Sequence, residues 1–384
     1  MRVLFAIHAP RDPRTAVFMN ASSRAAHMRA QGHTVDIVAP ADLGLGRVGG
    51  LQPLLFGAWL AFKARLSSYD LVVFHSHAGW MFLACRRWFD PRRRVCAVTT
   101  FHGLEPLYHD AEERELGRRG RKYSLRFRLL HRFVLHWLLR LSCRRSDGLL
   151  CLNTAERAFL VDGQWADPGR VFIVGNGVER ELLAPRAHTG RARRLLFVAQ
   201  WLPRKGIRDL VDAFTSLAAT DSRLELVCAG TGRSEATVRA EFSAHLHARI
   251  AVFPSVDRAT LADLLRSADI FVFPSLFEGF SSALLEGMAA GLAIVTTRAG
   301  AAQDLLEHER DALLIPYADA AALAAAVLRL LDNAPLRREL GAAAHGCAKR
   351  YDWDSVNAAY ASALVSVVDR HDRDAGVRHG RLTA

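Results

Sequence analysis

The sequence lacks the cysteine spacing that builds zinc sites and redox motifs. Its 384 residues include six cysteines, and no two of them form a Cys-x-x-Cys pair. Metal sites and small disulfide-linked domains require regular spacing of that kind. We therefore expect free thiols, a reducing compartment and a cytoplasmic protein. The cysteines are Cys85, Cys96, Cys143, Cys151, Cys228 and Cys347.

The sequence also lacks an apolar run that could span a membrane. The longest candidate is Leu54–Phe62, which Lys63 ends, whereas a span needs about 20 residues. The N-terminal run Val3–Ala9 has no small-residue cleavage site after it, so it indicates a buried strand rather than a signal peptide. We expect a chain that is soluble or held peripherally on the inner face of a membrane.

Acidic residues are scarce relative to basic ones. The chain has 51 Lys and Arg against 39 Asp and Glu, a formal net charge of +12. Such a surface favours phosphorylated metabolites, anionic lipids or nucleic acid as partners. Because the sequence has no aromatic stacking module and no groove-reading motif, we expect no nucleic-acid partner. A hydrophobic share of 51% and a charged share of 23% are those of a globular protein, which excludes a disordered chain.

Short apolar runs alternate with helix-like stretches along the whole chain. The runs are almost continuously apolar, which is typical of strands that helices cover on both faces. Two successive series predict an α/β protein with two parallel, doubly wound sheets. The predicted strands are Val3–Ala9, Thr34–Ala39, Leu71–His75, Val95–Phe101, Gly148–Leu152, Val171–Val174, Leu195–Ala199, Leu224–Ala229, Ile250–Phe253, Ile270–Phe273, Ala293–Thr297 and Ala312–Ile315.

A polar, basic linker separates the two predicted domains. Residues 179–194 carry a proline, a glycine and a basic run, with little apolar content. Residues 1–178 then form an N-terminal domain, and residues 195–350 form a C-terminal domain. Residues 351–384 are expected to form a helix with one apolar stripe, followed by a charged, frayed tail from residue 371.

The most informative segment, residues 271–291, is a strand, a glycine-containing loop and a helix start. Glu278 and Gly279 lie in the loop, Ser281 or Ser282 can cap the helix, and Glu286 lies one turn into it. Backbone amides and the helix dipole at such a start favour an anion, most obviously a diphosphate. Glu286 is suited to bind a ribose diol, and Glu278 is suited to contact a sugar ring. The alternative is a capped helix with two solvated glutamates.

A second strand–loop–helix unit places cations in a similar position. Arg204 and Lys205 lie in the loop after the first strand of the C-terminal domain. Doubly wound sheets bind ligands beyond the carboxyl ends of their strands, where two cations can neutralise a leaving diphosphate. Taken alone, this segment can equally be a solvated basic turn.

Together these motifs resemble family 4 of the retaining glycosyltransferases, which have the GT-B fold. The resemblance spans nearly the whole chain. It implies two Rossmann-like domains that face a central cleft, with the acceptor bound by the first, the nucleotide sugar bound by the second, and the C-terminal helix crossing back to the first. The matching motifs are Glu278 with Glu286, Pro203–Gly206, Gly230-Thr-Gly232, Thr100-Phe-His-Gly103 and Asn176-Gly-Val178.

The resemblance also implies roles for single residues. Glu278, His102 and Lys205 would act at the reaction centre, and His102 and Asn176 would lie on the acceptor side. The donor would be a nucleoside-diphosphate sugar, which is a substrate, so no cofactor is expected. The acceptor would be the hydroxyl of a glycan, a lipid-linked molecule or another compound. The residues implied to bind the donor are Arg204, Lys205, Gly279, Phe280, Ser281, Ser282, Glu286, Gly230 and Gly232.

The chain departs from the family pattern after the first strand of the C-terminal domain. The usual Gly-Arg-Leu is replaced by Ala199, Gln200 and Trp201. Either Arg204 supplies the missing charge, or phosphate binding is weaker than in the family.

We predict a transfer reaction that needs no metal. Arg204, Lys205 and the helix start at Ser281 can stabilise the charge that grows on a departing diphosphate. Asp372-Arg-Asp374 has the spacing of a metal motif, but it lies in the charged tail. One alternative is an inactive GT-B protein that binds nucleotide sugar or anionic lipid. A dinucleotide-dependent oxidoreductase is weaker, because the G-x-G-x-x-G at Gly44–Gly49 lies outside a tight strand–helix turn.

The stretch 118–145 is strongly basic and also apolar at helical spacing. It holds ten Lys and Arg and no acidic residue. One interpretation is a cover helix with its apolar face on the sheet and its cations in water. The other is a surface helix that contacts anionic lipid or a pyrophosphate-linked acceptor. The apolar residues at helical spacing are Leu125, Leu129, Phe133, Trp137 and Leu141.

Overall fold

All twelve predicted strands are present in the computed structural model, which describes residues 1–12, 15–44, 52–118, 120–183 and 193–376. They form two parallel sheets of six strands, one in each of two compact units. The strands are β1 (Arg2–Ala6), β2 (Thr34–Val38), β3 (Leu71–His75), β4 (Cys96–Thr100), β5 (Gly148–Cys151), β6 (Val171–Ile173), β7 (Arg194–Val198), β8 (Glu225–Ala229), β9 (Ile250–Phe253), β10 (Ile270–Phe273), β11 (Ala293–Thr297) and β12 (Leu313–Ile315).

Helices connect the strands and cover the sheets. Every residue of β3, β4 and β11 is buried, so both faces of these strands are covered. The α-helices within the described ranges are α1 (Ala16–Ala30), α2 (Gln52–Lys63), α3 (Trp80–Ala84), α4 (Arg86–Phe89), α5 (Glu105–Arg118), α6 (Leu125–Leu129), α7 (His136–Arg145), α8 (Thr154–Asp162), α9 (Ile207–Thr220), α10 (Glu235–Arg239), α11 (Arg258–Ser267), α12 (Ser282–Ala289), α13 (Ala302–Leu305), α14 (Ala320–Asp332), α15 (Ala334–Ala348) and α16 (Trp353–Ala375).

Short polar side chains fix where several helices begin. Each accepts a hydrogen bond from the backbone N–H three residues further on, which satisfies a donor that the first helical turn leaves unpaired. These caps are Asn153 for α8, Asp257 for α11, Ser281 for α12 and Asp319 for α14.

The first unit takes its described residues from 1–106, 123–177 and 353–376. Its strand order is β2-β1-β3-β4-β5-β6, so the order of connection reverses between β1 and β3. All of its strand pairs are parallel. The carboxyl ends of β1, β3 and β4 therefore lie side by side along one edge of the sheet.

The C-terminal helix α16 is built into the first unit. The ring of Tyr360 lies edge-on to Phe5, with centroids 6.4 Å apart, and the Arg24 guanidinium lies 4.4 Å from the Tyr360 ring centre. The Asn357 side chain donates a hydrogen bond to the Ser23 hydroxyl at 3.1 Å. These contacts confirm the predicted return of the C-terminal helix to the N-terminal domain.

The prediction that the chain is frayed from residue 371 onward is wrong for residues 371–375. The helix α16 continues to Ala375 and buries His371, whose ring nitrogen Nε2 lies 2.9 Å from the carbonyl oxygen of Arg93. Arg93 lies 278 residues earlier in the sequence, and no local sequence pattern predicts a contact over that distance. Residues 377–384 lie outside the described ranges.

The second unit has the strand order β12-β11-β10-β7-β8-β9. Its order of connection reverses between β7 and β10, which pair in parallel with Ile270 opposite Leu195. This is the arrangement of a doubly wound nucleotide-binding sheet.

The second unit also includes residues 107–122, which the sequence placed with the N-terminal domain. In the structure Arg118, at the end of α5, lies 3.4 Å from the carboxylate of Asp209 on α9. Of the predicted linker 179–194, residues 180–183 form a short 3-10 turn, and residues 184–192 lie outside the described part of the chain. The same is true of the G-x-G-x-x-G segment after Gly44.

We predict that Tyr360→Ala lowers the free energy of unfolding by about 3–5 kcal/mol, because it removes a fully buried ring between α16 and β1. Urea titration followed by circular dichroism measures this change. Tyr317→Ala is the matched control, because Tyr317 is 50% exposed and Tyr360 is 2% exposed. Equal losses in the two variants would contradict the packing of α16 described here.

Candidate active site

The loops that follow β7 and β10 meet because these strands are neighbours in the second sheet. β7 ends at Val198 and β10 ends at Phe273. The turn Pro203–Lys205 follows the first, and the loop that carries Glu278 follows the second. A doubly wound sheet binds its ligand at such a reversal, beyond the carboxyl ends of the strands.

Gly206 allows the turn to lie against the end of β10. Its φ is +69°, and a Cβ added there would lie 1.9 Å from the carbonyl oxygen of Pro274. The backbone N–H of Leu276 donates to the carbonyl of Arg204 at 2.8 Å. The position of Lys205 is therefore fixed by backbone contacts on both sides of it.

Lys205 and Glu278 form a largely buried ion pair. The Lys205 ammonium lies 2.5 Å from Oε1 of Glu278, and the two side chains are 13% and 10% exposed. The hydroxyl of Ser275, which is fully buried, donates to the same carboxylate oxygen at 2.5 Å. Burial lowers the pKa of Lys205, and the Glu278 carboxylate opposes that shift. Two opposite charges are thus held together at the carboxyl ends of adjacent strands.

Arg204 is the second cation of this turn. Its guanidinium lies 4.9 Å from the centre of the Tyr108 ring, and its Nε is buried without a hydrogen-bond partner among the described residues. The position of the usual family arginine carries Gln200, which is exposed. The neighbouring Trp201 is buried, and its ring packs at 5.9 Å against Phe197.

Glu286 lies buried on α12 and pairs with an arginine that the sequence did not indicate. Nη1 of Arg258 donates to Oε1 of Glu286 at 2.7 Å. Nε of the same arginine donates to Glu179 at 3.1 Å. Burial raises the pKa of Glu286, although Arg258 opposes the shift. The arginine therefore orients the carboxylate that the motif singled out.

The helix start predicted for the anion site is confirmed. Helix α12 begins at Ser282, and the hydroxyl of Ser281 accepts a hydrogen bond from the N–H of Leu284 at 3.2 Å. The first turn of this helix therefore directs its amide groups and its dipole towards the loop that holds Glu278.

Gly279 and Phe280 complete the loop before this helix. The carbonyl of Gly279 accepts a hydrogen bond from the N–H of Ala301 at 2.9 Å. The ring of Phe280 is buried and lies 5.7 Å from the ring of Tyr351. Both residues thus position the loop through neighbouring segments of the second unit.

Gly230 and Gly232 shape the loop after β8. Both have positive φ, and a Cβ at either position would meet no atom within 4 Å. Their N–H groups donate to the carbonyls of Phe253 and Pro254, each at 2.9 Å. The backbone amides are thus used within the protein, while the space beside the two α-carbons is open.

Three histidines meet at the carboxyl edge of the first sheet. His102 Nε2 lies 2.7 Å from His75 Nδ1, and the ring of His8 lies 6.0 Å from that of His102. Burial lowers the pKa of His8 to about 4 and shifts those of His75 and His102 well below their ordinary value. The three imidazoles are therefore neutral at pH 7.

A carboxylate lies beside this cluster. Glu105 accepts a hydrogen bond from the Ser76 hydroxyl at 2.7 Å and lies 3.4 Å from Nδ1 of His77. Burial opposes its ionisation, but the hydrogen bonds from His77 and Ser76 prevail and lower its pKa to about 2. Ser76 has a φ of +55°, a conformation that costs energy in a residue other than glycine.

Asn176 lies inside the first unit. It is buried, and its side-chain oxygen accepts a hydrogen bond from the amide of Asn20 at 2.8 Å. This contact explains its position by packing within the unit, and its role towards an acceptor stays a prediction.

Residues 125–145 of the basic stretch form one helix with two apolar faces. A π-helical segment, Leu130–Leu135, interrupts this helix. Its inner face, which includes Leu138 and Leu139, is buried. On its outer face, four large apolar side chains are between 47% and 69% exposed, and we call this set the outer stripe. Of the two interpretations of this stretch, the buried inner face agrees with a cover helix, and the exposed outer face agrees with a surface helix. The outer stripe consists of Leu125, Leu129, Phe133 and Trp137.

Among the described residues, one group has donor atoms close enough for a metal ion. Cys96, Asp147 and His371 offer atoms within 4.8 Å of one another. However, Arg86 donates to both oxygens of Asp147, at 3.0 and 2.9 Å, and burial raises the pKa of the Cys96 thiol. A neutral thiol and a carboxylate paired with arginine are poor ligands. The group therefore does not support a metal site.

The fold and this site define the chain as a glycosyltransferase of the GT-B class. Residues 23–182 match the family model for glycosyltransferase family 4, and residues 192–333 match that for group 1 glycosyl transferases. Phosphatidyl-myo-inositol mannosyltransferase of Mycobacterium tuberculosis is 31% identical over 86% of this chain and 87% of its own length. The chain belongs to glycosyltransferase family 4.

Other proteins resemble the chain in part of its sequence or in its fold. Phosphatidyl-myo-inositol mannosyltransferase of Mycolicibacterium smegmatis is 35% identical over 59% of this chain and 58% of its own length. Sucrose-phosphate synthase of Thermosynechococcus elongatus has a TM-score of 0.77 and 19% identity, with 96% of this chain and 99% of that chain covered. Anabaena HepE in complex with UDP-glucose has a TM-score of 0.69 and 16% identity, with 95% and 100% covered. These two structures show the shared fold.

Sequence reasoning missed three contacts of the site. Ser275 lies in the motif loop, three residues before Glu278, so its closeness could have been noticed. Arg258 follows β9, an edge strand that does not adjoin β10, and no spacing points to it. His8 follows β1, and its contact with His102 depends on the order of strands in the sheet.

We predict that Gly206→Ala destabilises the protein more than Gly230→Ala. Both glycines have a φ near +68°, so alanine costs about 1–2 kcal/mol at either position. Only at Gly206 does the new methyl group collide with backbone, which adds roughly 1–3 kcal/mol. Urea unfolding of the two variants measures the difference. Equal losses would show that the turn does not lie against β10.

Proposed function

We propose that this glycosyltransferase moves a sugar from a nucleoside-diphosphate sugar to a hydroxyl of a lipid-linked or glycan acceptor, with retention of configuration. The observation that carries the proposal is the Lys205–Glu278 pair where the strand order reverses. Anabaena HepE, which shares the fold, is described in complex with UDP-glucose. The similar mycobacterial enzymes are named for mannosyl transfer to phosphatidyl-myo-inositol.

On the donor side, Lys205 and Arg204 bind the diphosphate together with the start of α12. When the bond between the sugar and the diphosphate breaks, the leaving nucleoside diphosphate carries the negative charge. Fixed cations and helix-start amides stabilise that charge without reorganisation. Because protein cations supply this stabilisation, the proposed reaction needs no metal, and the nucleotide sugar is a substrate rather than a cofactor.

The two motif glutamates, Glu278 and Glu286, bind the sugar and the ribose of the donor, respectively. Glu278 binds sugar hydroxyls, because its carboxylate lies beside the cation that holds the diphosphate. Glu286 binds the ribose, and Arg258 fixes the orientation of its carboxylate. In addition, burial lowers the pKa of Lys205, and Glu278 opposes that shift and so favours the charged ammonium.

On the acceptor side, we assign the hydroxyl to the histidine cluster of the first unit. The pKa values of His8, His75 and His102 all lie below neutrality, so their imidazoles offer a nitrogen lone pair at pH 7. A neutral imidazole can accept a hydrogen bond from an acceptor hydroxyl, whereas an imidazolium only donates. His102 is oriented for this role by its 2.7 Å hydrogen bond with His75.

We also propose that the first unit docks on the cytoplasmic face of an anionic membrane. The outer stripe exposes two aromatic and two leucine side chains, and exposed arginines at 126, 132 and 140 lie on the same helix. This combination of apolar and cationic groups is suited to an interface of anionic lipid. No helix within the described residues is long and apolar enough to cross a bilayer.

We expect Lys205→Ala and Glu278→Gln each to reduce kcat/KM for sugar transfer by about 100- to 1,000-fold, because each removes a group that contacts the donor. Nucleoside diphosphate release from UDP- and GDP-sugars measures the loss. Lys349→Ala and Glu241→Gln are the matched controls, since both residues are exposed.

Thermal melts must show that the four variants fold. Near-normal transfer by a folded Lys205→Ala or Glu278→Gln variant would contradict the proposed donor site. Donor binding by the wild type without transfer to any acceptor would instead indicate an inactive binding protein.

We expect Phe133→Ser/Trp137→Ser to lower binding to phosphatidylglycerol vesicles at least tenfold, because the outer stripe loses two aromatic anchors. Vesicle flotation at two salt concentrations measures this, and binding by the wild type should weaken at the higher one. The control is Tyr317→Ser/Leu328→Ser, which removes exposed apolar groups from the second unit. Equal losses in the two double variants would exclude the outer stripe as the docking surface.

A further inference from the structure

A second charged site lies at the opposite edge of the first sheet from the histidine cluster. It is a cavity of about 590 Å³. Its lining includes Asp90, Pro91 and Arg93, which precede β4, residues 144–147, which precede β5, and Arg170, which precedes β6. The cavity therefore lies at the amino ends of three neighbouring strands, whereas His75 and His102 lie at the carboxyl ends.

Arginine dominates the lining of this cavity, which we call the arginine cavity. Seven arginines and three aspartates face it, a formal excess of four positive charges. Guanidinium groups that share one concave surface repel each other, and an anion between them removes that cost.

Asp147 neutralises two of these arginines, and hydrogen bonds occupy both oxygens of its carboxylate. Its two oxygens accept hydrogen bonds from Arg86 at 3.0 and 2.9 Å, and Oδ1 also accepts one from Arg93 at 2.9 Å. Oδ2 further accepts the N–H of Ala97 at 2.8 Å. Asp90 is used by backbone, because its oxygens accept the N–H groups of residues 94 and 95. Asp90 also lies 3.8 Å from Nε of Arg86, so Asp374 is the one lining aspartate that remains for the other five arginines.

Two arginines of the cavity have no partner among the described residues. Arg87 on α4 and Arg370 on α16 make no hydrogen bond or ion pair there. Arg144 and Arg145 each donate to one backbone carbonyl, at 3.3 and 2.8 Å. Nε of the buried Arg86 makes no hydrogen bond within the described chain, although the Asp90 carboxylate lies 3.8 Å from it. The cavity thus combines unused donors with unneutralised charge.

We propose that the arginine cavity binds a phosphate-bearing ligand that is distinct from the sugar donor. Guanidinium groups bind phosphate oxygens through paired, charge-assisted hydrogen bonds, which is the geometry that several converging arginines offer. The ligand is either a soluble phosphorylated compound or the phosphate headgroup of an anionic lipid. Trp88, next to Arg87, is 82% exposed and is suited to a membrane interface in the second case.

The test compares two charge-matched double variants. Arg87→Gln/Arg370→Gln removes the two arginines without partners. Arg92→Gln/Arg373→Gln removes two exposed arginines close by in the sequence that do not line the cavity. Both are made in a chain that also carries Arg204→Ala/Lys205→Ala, so that the proposed donor site in the second unit does not bind the probe.

Calorimetric titration with pyrophosphate is the measurement. The Arg204→Ala/Lys205→Ala chain should bind pyrophosphate, and Arg87→Gln/Arg370→Gln should weaken that binding at least tenfold. The control pair should change it less than twofold. Absence of binding in the parent chain, or equal weakening by both pairs, would overturn the proposal. Thermal melts establish that the variants fold, which is expected because neither Arg87 nor Arg370 has a partner to lose.

Vesicle binding then distinguishes the two sources of phosphate. If Arg87→Gln/Arg370→Gln lowers binding to phosphatidylglycerol vesicles more than the control pair does, the ligand is a lipid headgroup. If both pairs lower it equally while pyrophosphate binding is lost only in the first, the ligand is soluble. Either result can be obtained even if the proposed donor chemistry is wrong, because the readouts do not depend on sugar transfer.

Discussion

Two strands that are distant in the sequence, β7 and β10, lie side by side in the second sheet, and the proposed donor site depends on this pairing. The pairing brings the turn at Lys205 within 2.5 Å of the loop at Glu278. Gly206 is required because any larger residue would push the turn away from Pro274. The two charges also stabilise each other, because burial lowers the pKa of Lys205 and the neighbouring Glu278 carboxylate opposes that shift.

In the first unit, the carboxyl edge and the amino edge of the sheet carry different polar and charged side chains. Neutral histidines and one ionised glutamate, Glu105, lie at the carboxyl edge, where we propose that the acceptor hydroxyl binds. Unneutralised arginines lie at the amino edge, and the outer stripe of the helix 125–145 is exposed. The excess of basic residues in the sequence is therefore partly concentrated in particular sites rather than spread evenly.

Much of the fold was readable from the sequence, because continuous apolar runs mark strands buried on both faces and Ser281 marks a helix start. Contacts that depend on the order of strands in a sheet could not be predicted from the sequence. The contacts of His8 with His102 and of Arg258 with Glu286 are examples. Periodicity also identified the apolar spacing in residues 125–137, but it does not say what covers such a face, so the exposure of Phe133 and Trp137 needed the structure. The same holds for Asn176, whose motif did not reveal its contact with Asn20.

The most direct test of the central claim is a crystal structure of the protein with a bound nucleoside-diphosphate sugar. The account predicts that the diphosphate lies within hydrogen-bond distance of the Lys205 ammonium and the first amides of α12, with a sugar hydroxyl on the Glu278 carboxylate. A donor bound elsewhere, with the Lys205–Glu278 ion pair unchanged and no ligand atom near either side chain, would contradict it.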